Sequence, residues 1–263
     1  MASSSFLKYF HFTIIKNIST GVRPMKNLKN TILSIISIIC LSIAIGIIFT
    51  SVNKAFAANT GTKANVKDKS KVIILVGDSR VMHMSYMNAS SRKNYVLVFS
   101  NGGGIGSINP NGGSRWIGNL LVKAIKKYPK AVVVFALGVN GNGNPSNNYS
   151  KTKTYDYYIK HYPDHIFVIS SVGGTNKKSG SYSNANVKAF NNKLKKKYLT
   201  NNTNTRVFYY DLYDYLASSK LIDPGRSNKG TRDGLHYTNN VYKKWLKDLR
   251  RYVNFILATN TNI

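Results

Sequence analysis

Four short motifs after residue 70 carry groups that could do chemistry together: Gly77-Asp78-Ser79, a glycine cluster from Gly102 to Gly106, Gly138-Val139-Asn140, and Asp233-Gly234-Leu235-His236. A serine hydroxyl becomes a nucleophile when a neighbouring base takes its proton. Asp233 and His236 are spaced so that the carboxylate can accept a hydrogen bond from one imidazole nitrogen while the other faces a serine. The Asn140 amide and a backbone N–H of the glycine cluster could donate to a developing oxyanion. These are the parts required for attack on an ester carbonyl. Each motif alone also has a plainer reading. Ser79 could merely cap a helix, and Asp233 could cap one beside a surface histidine. Asn140 could be a turn residue, and the glycines a flexible loop.

The elements that must position these groups follow from hydrophobic patterning. Five apolar runs of β type, Lys71–Val76, Tyr95–Ser100, Ala131–Leu137, Ile166–Val172 and Arg206–Asp211, are apolar along nearly their whole length. That suits parallel strands buried on both faces. Between them, Trp116, Ile117, Leu120, Leu121, Ala124 and Ile125 share a helical face, as do Val187, Phe190, Leu194 and Tyr198. After the last motif Val241, Trp245, Leu249 and Val253 repeat at helical spacing. Such alternation predicts a single α/β domain over 70–257 with a parallel sheet, and a polar tail over 258–263. The first three motifs then follow strand ends, where α/β proteins place their sites. Asp78, in the first turn after the first strand, is expected to hold the loop and to take no chemical step. The segment 141–150, rich in Gly, Asn, Pro and Ser, reads as a loop at such an end.

With all four motifs in this order, the chain resembles the SGNH (GDSL-type) hydrolases over nearly all of residues 70–257. The resemblance implies a three-layer α/β/α sandwich around a five-stranded parallel sheet, a flavodoxin-like arrangement. It also implies site roles: Ser79 as nucleophile, His236 as base and Asp233 as its orienting partner. The oxyanion hole would be formed by the Ser79 N–H, a glycine N–H from the second block and the Asn140 amide. Counting five residues on from Asn101 selects Gly106, with Gly104 as the alternative. Arg80 departs from the leucine found in many members and leaves the substrate open.

Competing chemistries lack their motifs. There is no Gly-x-Ser-x-Gly elbow, no Gly-x-x-x-x-Gly-Lys phosphate loop and no dinucleotide-binding glycine pattern. His161 and His165 are four apart, but Pro163 spoils a helical metal pair and further ligands are lacking. No metal or cofactor is expected. His83, one turn after Ser79, reads as a helix-surface residue at the edge of the pocket.

Residues 1–57 read as targeting sequence. No charge occurs between Lys29 and Lys54, and Thr31 to Phe49 is almost wholly apolar, long enough as a helix to span about 28 Å. Arg23, Lys26 and Lys29 precede the run, and Ala55-Phe56-Ala57 before Ala58 fits a cleavage site. The expectation is a signal peptide, with a retained membrane anchor as the alternative, and in either case a domain outside the cytoplasmic membrane. Residues 58–69 read as a linker. The sole cysteine, Cys40, lies within the apolar run, so the exported part has no thiol or disulfide.

The net charge is +29, from 38 basic residues against nine acids, every one of them Asp. Taking away the six basic residues of 1–57 leaves 32 against nine, or +23. Such a field attracts anionic polymers. For an exported protein the fitting partners are a cell-wall polyanion or an anionic membrane surface. Nucleic acid fits less well, because the lysines are scattered and not interleaved with aromatics on one helix. AT-rich coding, which favours Lys, Asn, Ile and Tyr together, accounts for the charge equally well. The functional expectation is an exported serine esterase acting on acyl esters, acetyl among them, of a carbohydrate or lipid. The alternatives are an O-acyltransferase using the same triad on an envelope polysaccharide and a non-catalytic basic wall-binding protein.

Overall fold

Five consecutive apolar runs with β-branched residues have one way to bury every side chain: adjacent parallel strands covered on both faces. The structure, a computed structural model, describes residues 34–43, 60–110, 117–140, 145–177 and 182–259. It contains strands β1 (Thr60–Asn65), β2 (Ile73–Gly77), β3 (Tyr95–Ser100), β4 (Val132–Ala136), β5 (Phe167–Ser170) and β6 (Val207–Tyr210). Their order in one sheet is β1-β3-β2-β4-β5-β6. The five expected strands pair in parallel; β3 matches its apolar run and the other four are slightly shorter than theirs.

The sheet departs from the expected five strands by the addition of β1. Residues 60–65, read from sequence as linker, pair antiparallel with β3 from Thr60 opposite Ser100 to Asn65 opposite Tyr95. The segment Thr-Gly-Thr-Lys-Ala-Asn carries no hydrophobic alternation, and its side chains are exposed or half-buried. Backbone N–H and C=O groups pair it to the edge, so patterning cannot reveal it. The sheet therefore includes residues from Thr60 on, within the compact unit Ala55–Ile263.

Side chains of each strand alternate between two cores. Ile74, Val76, Val133 and Phe135 meet Leu121 and Ile125 of α2 (Gly118–Lys127). The same core takes Tyr155 and Tyr158 of α4 (Lys153–His161) and Phe190 and Leu194 of α5 (Asn184–Lys195). A short α3 (Pro145–Ser150) precedes α4. Ile73, Leu75, Leu97 and Val134 point to the other face. There they meet Val81 and Met84 of α1 (Ser79–Ser85), Leu212 and Leu216 of α6 (Leu212–Ser218), and Trp245, Leu249 and Val253 of α7 (Asn239–Thr259). The result is the expected three-layer α/β/α sandwich. The chain leaves β2 for β3 on one side and reaches β4 on the other, so the strand order reverses beside β2, the place where open α/β sheets hold their ligands.

Residues 34–43 form a helix with exposed side chains inside a separate unit, Met1–Lys54. Among the described residues no helix is long and apolar enough to cross a membrane. The rest of the apolar run and the cleavage motif at 55–58 lie outside the described residues.

The turn from β2 into α1 has no spare volume at Gly77. A Cβ there would lie 2.1 Å from Val81 Cγ2 and 2.8 Å from its Cβ. Gly77→Ala is expected to destabilise the protein by about 1–3 kcal/mol through overpacking. A lowered midpoint with unchanged slope in denaturant unfolding would register it, and a wild-type midpoint would mean that α1 moves away freely.

Candidate active site

Ser79 lies two residues after the last residue of β2, as the first residue of α1. The helix starts so abruptly because Asp78, in extended conformation, caps it: its carboxylate accepts from the Arg80 N–H at 2.9 Å. Asp78 thus holds the loop, as its position in the sequence suggested. Burial pushes its carboxyl upward, an effect opposed by the Arg80 guanidinium and by the hydrogen bond from the Arg80 N–H. Ser79 itself is 4% exposed and sits where the unpaired N–H groups of a helix start favour negative charge.

His236 reaches Ser79 from a segment 157 residues away, with Nε2 2.9 Å from Ser79 Oγ. Its Nδ1 is 2.7 Å from Asp233 Oδ2. A carboxylate only accepts, so Nδ1 carries the proton and Nε2 accepts from the serine hydroxyl. Asp233 uses its other oxygen within its own loop, where Oδ1 accepts from the N–H groups of Leu235 (2.9 Å) and His236 (2.7 Å). Burial pushes the Asp233 carboxyl up, but these N–H donors and the imidazole outweigh it and hold the group well below the usual carboxylate range. It is therefore ionised at neutral pH.

A closed loop fixes the pair. Thr231 bridges Tyr237, and the Arg232 N–H donates to His236 O at 2.7 Å. Gly234 turns the chain with φ of +80°, a left-handed conformation that glycine adopts without strain, and its carbonyl accepts from the Asn176 N–H at 2.8 Å.

Asn140 follows β4 through Gly138, whose φ is +129° and where a Cβ would come within 2.5 Å of Phe190. The Asn140 side-chain amide donates to Gly103 O at 3.2 Å, which leaves its second N–H for another acceptor. Gly104 packs against the same residue, since a Cβ on it would lie 2.6 Å from Asn140 O. The Gly104 N–H is already donated to Ser107 Oγ at 3.1 Å. Gly106 lies in the first turn of the 3-10 segment Ile105–Ile108, where N–H groups have no intrahelical acceptor.

Two residues take roles that the sequence did not disclose. Arg80 is buried, with its guanidinium donating to three backbone carbonyls around the site. The signal available was its place directly after the serine, where a buried cation must find acceptors. His83 is not a plain surface residue: its ring packs edge-on against His236, centroids 4.7 Å apart, and lies 6.4 Å from the Tyr242 ring. Burial, then the neighbouring His236 and Arg232, hold the His83 imidazole below its usual range and favour its neutral form. The other two histidines among the described residues lie outside the site. His161 bonds Tyr157 O and stacks on that ring, and buried His165 bonds Ala131 O. Among the described residues no three His, Cys, Asp or Glu side chains are grouped to hold a metal.

The arrangement offers a hydroxyl with a base at hydrogen-bond distance, a carboxylate orienting that base, and amide donors at the adjacent strand end. No family model and no curated relative matches the chain. Solved structures do resemble it. A candidate acylhydrolase from Bacteroides fragilis superposes with a TM-score of 0.55 at 14% identity, over 74% of this chain and 91% of that one. A GDSL-like lipase from Bacteroides thetaiotaomicron gives 0.53 at 12% identity, over 70% and 90%. At such identities the likeness is one of architecture, and on it the chain has the α/β/α fold of the GDSL-type acylhydrolases.

Proposed function

We propose that the protein is a serine ester hydrolase of the SGNH type, with Ser79, His236 and Asp233 as its triad. The observation that carries this reading is the unbroken Ser79–His236–Asp233 hydrogen-bond chain, 2.9 and 2.7 Å long, closed between segments 157 residues apart. Ser79 Oγ bonds to the acyl carbon as its proton passes to His236 Nε2, and the carbonyl electron pair moves onto oxygen. The Ser79 N–H, the Gly106 N–H and the Asn140 amide receive that oxyanion. Collapse breaks the bond to the alcohol, which takes the proton from Nε2 and leaves an acyl-serine. Water repeats the sequence and releases the acid. Asp233, ionised throughout, balances the imidazolium. A pure binding protein would have no use for this chain of bonds.

The substrate we assign is an acyl ester on a carbohydrate or lipid, and the place of action is outside the cytoplasmic membrane. The second assignment rests on the apolar run and small-residue motif of residues 31–58 and on the absence of cysteine after Cys40.

Ser79→Ala and His236→Ala are each expected to remove hydrolysis of a short-chain aryl ester by about three orders of magnitude or more, with circular dichroism unchanged. A folded Ser79→Ala protein with wild-type turnover would refute the nucleophile. Asn140→Ala should lower kcat about 10²–10³-fold with little change in KM. An effect confined to KM would make Asn140 a binding or turn residue instead.

The charge generates a separate expectation. Attraction from dispersed lysines weakens as the Debye length falls from about 10 Å at 0.1 M to about 3 Å at 1 M salt. The protein should bind isolated cell-wall material at low salt and be released at high salt, while its activity on a neutral ester changes little. Binding that survives molar salt would indicate a specific sugar site. No binding at any salt would leave codon usage as the account of the charge.

A further inference from the structure

Arg80 is only 3% exposed, although it stands directly after the serine. Its Nε donates to Leu235 O at 3.1 Å, Nη1 to Gly173 O at 2.9 Å and Nη2 to Gly174 O at 3.4 Å. The guanidinium carbon lies 4.6 Å from the centre of the Tyr237 ring, whose hydroxyl donates to Gly174 O at 2.9 Å. One side chain thus joins the serine turn, the segment after β5 and the loop that carries His236. The bond to Leu235 matters most. Leu235 C=O and His236 N–H belong to one planar peptide unit. Its N–H is held by Asp233 Oδ1 at 2.7 Å and its carbonyl by Arg80, so both sides of the plane from which the imidazole springs are pinned. Leucine at position 80 would leave the carbonyl side free.

We infer that Arg80 is a positioning residue of the active site, fixing the Leu235–His236 peptide so that Nε2 is held within reach of the Ser79 hydroxyl. The inference rests on the esterase reading for its kinetic consequence, though not for its geometric one. Arg80 touches neither the reacting atoms nor the serine oxygen; it acts through the backbone of the base. A misplacement of about 1 Å in such a group can cost up to about 10² in rate. A planar fork with several fixed donors performs this task, whereas an ammonium reaches fewer of the carbonyls at once.

The test uses the full chain carrying Arg80→Leu or Arg80→Lys. Lysine retains the charge and part of the bonding, so it serves if the leucine variant fails to fold. In a folded variant kcat on a short-chain aryl ester should fall about 10–10²-fold for leucine and less for lysine, with KM nearly constant. The hydrogen-bonded His236 Nδ1 proton, followed by NMR, should broaden or shift in either variant while the fold is retained. A lowered thermal midpoint with wild-type kcat and an unchanged Nδ1 resonance would reduce Arg80 to a packing role. A rise in KM alone would make it a substrate contact. Should the wild-type protein neither hydrolyse esters nor react with a serine-directed phosphonate, the esterase reading fails, and the imidazole resonance still decides the role of Arg80.

Discussion

The register of β2 is the constraint on which the rest of the structure depends. This strand is paired on both edges, with β3 and with β4, and all five of its residues are buried. Ile73 and Leu75 fill one core while Ile74 and Val76 fill the other. A slip of one residue would exchange these faces and carry Ser79 about 3.3 Å along the strand axis. The hydroxyl would then miss the imidazole. Because Gly77 has no room for a Cβ and Asp78 caps α1 at once, no loop absorbs an error between the strand and the serine. The precision of the site is inherited from the sheet.

The loop that carries Asp233 and His236 lacks such a frame and is built as a closed backbone circuit. Bonds from Arg232 N–H to His236 O, from Thr238 N–H to Gly230 O and from Asn176 N–H to Gly234 O leave it few ways to move. Tyr237, fully buried among Tyr242 and Trp245, anchors it to the start of α7. The site therefore joins a rigid strand end to a loop made rigid by hydrogen bonds, with buried aromatic packing beneath.

A chain with nine acids and thirty-eight cations cannot pair every cation with a carboxylate. Several are directed to backbone carbonyls. Arg250 donates to Lys71 O, Lys93 O and Asn94 O, Arg206 to His165 O and Ile159 O, and Arg92 to Met87 O. The planar guanidinium suits this use, since it satisfies several carbonyls at loop ends that water would otherwise have to reach. Arg80 is the member of this set whose acceptors line the candidate site. The positive charge of the protein is in this respect partly structural, since Arg80, Arg92, Arg206 and Arg250 tie backbone segments together.

Residue types at short range made much of this legible. Apolar runs located the five parallel strands, helical spacing located α2, α5 and α7, and the motif order singled out Ser79, Asn140, Asp233 and His236. Where side chains carry no pattern the sequence was silent, as at β1, which joins the sheet through backbone pairing. It was silent again where meaning depends on what lies opposite. The glycine spacing did not show that the Gly104 N–H is taken by the Ser107 hydroxyl. His83 acquired its place from the His236 ring, and Arg80 from carbonyls 93 to 155 residues away. Local sequence determined which groups were present and on which kind of element, because propensity and periodicity act over a few residues. Only the tertiary structure decided which of them meet, because contacts across the chain depend on sheet order and core packing, which no short motif encodes.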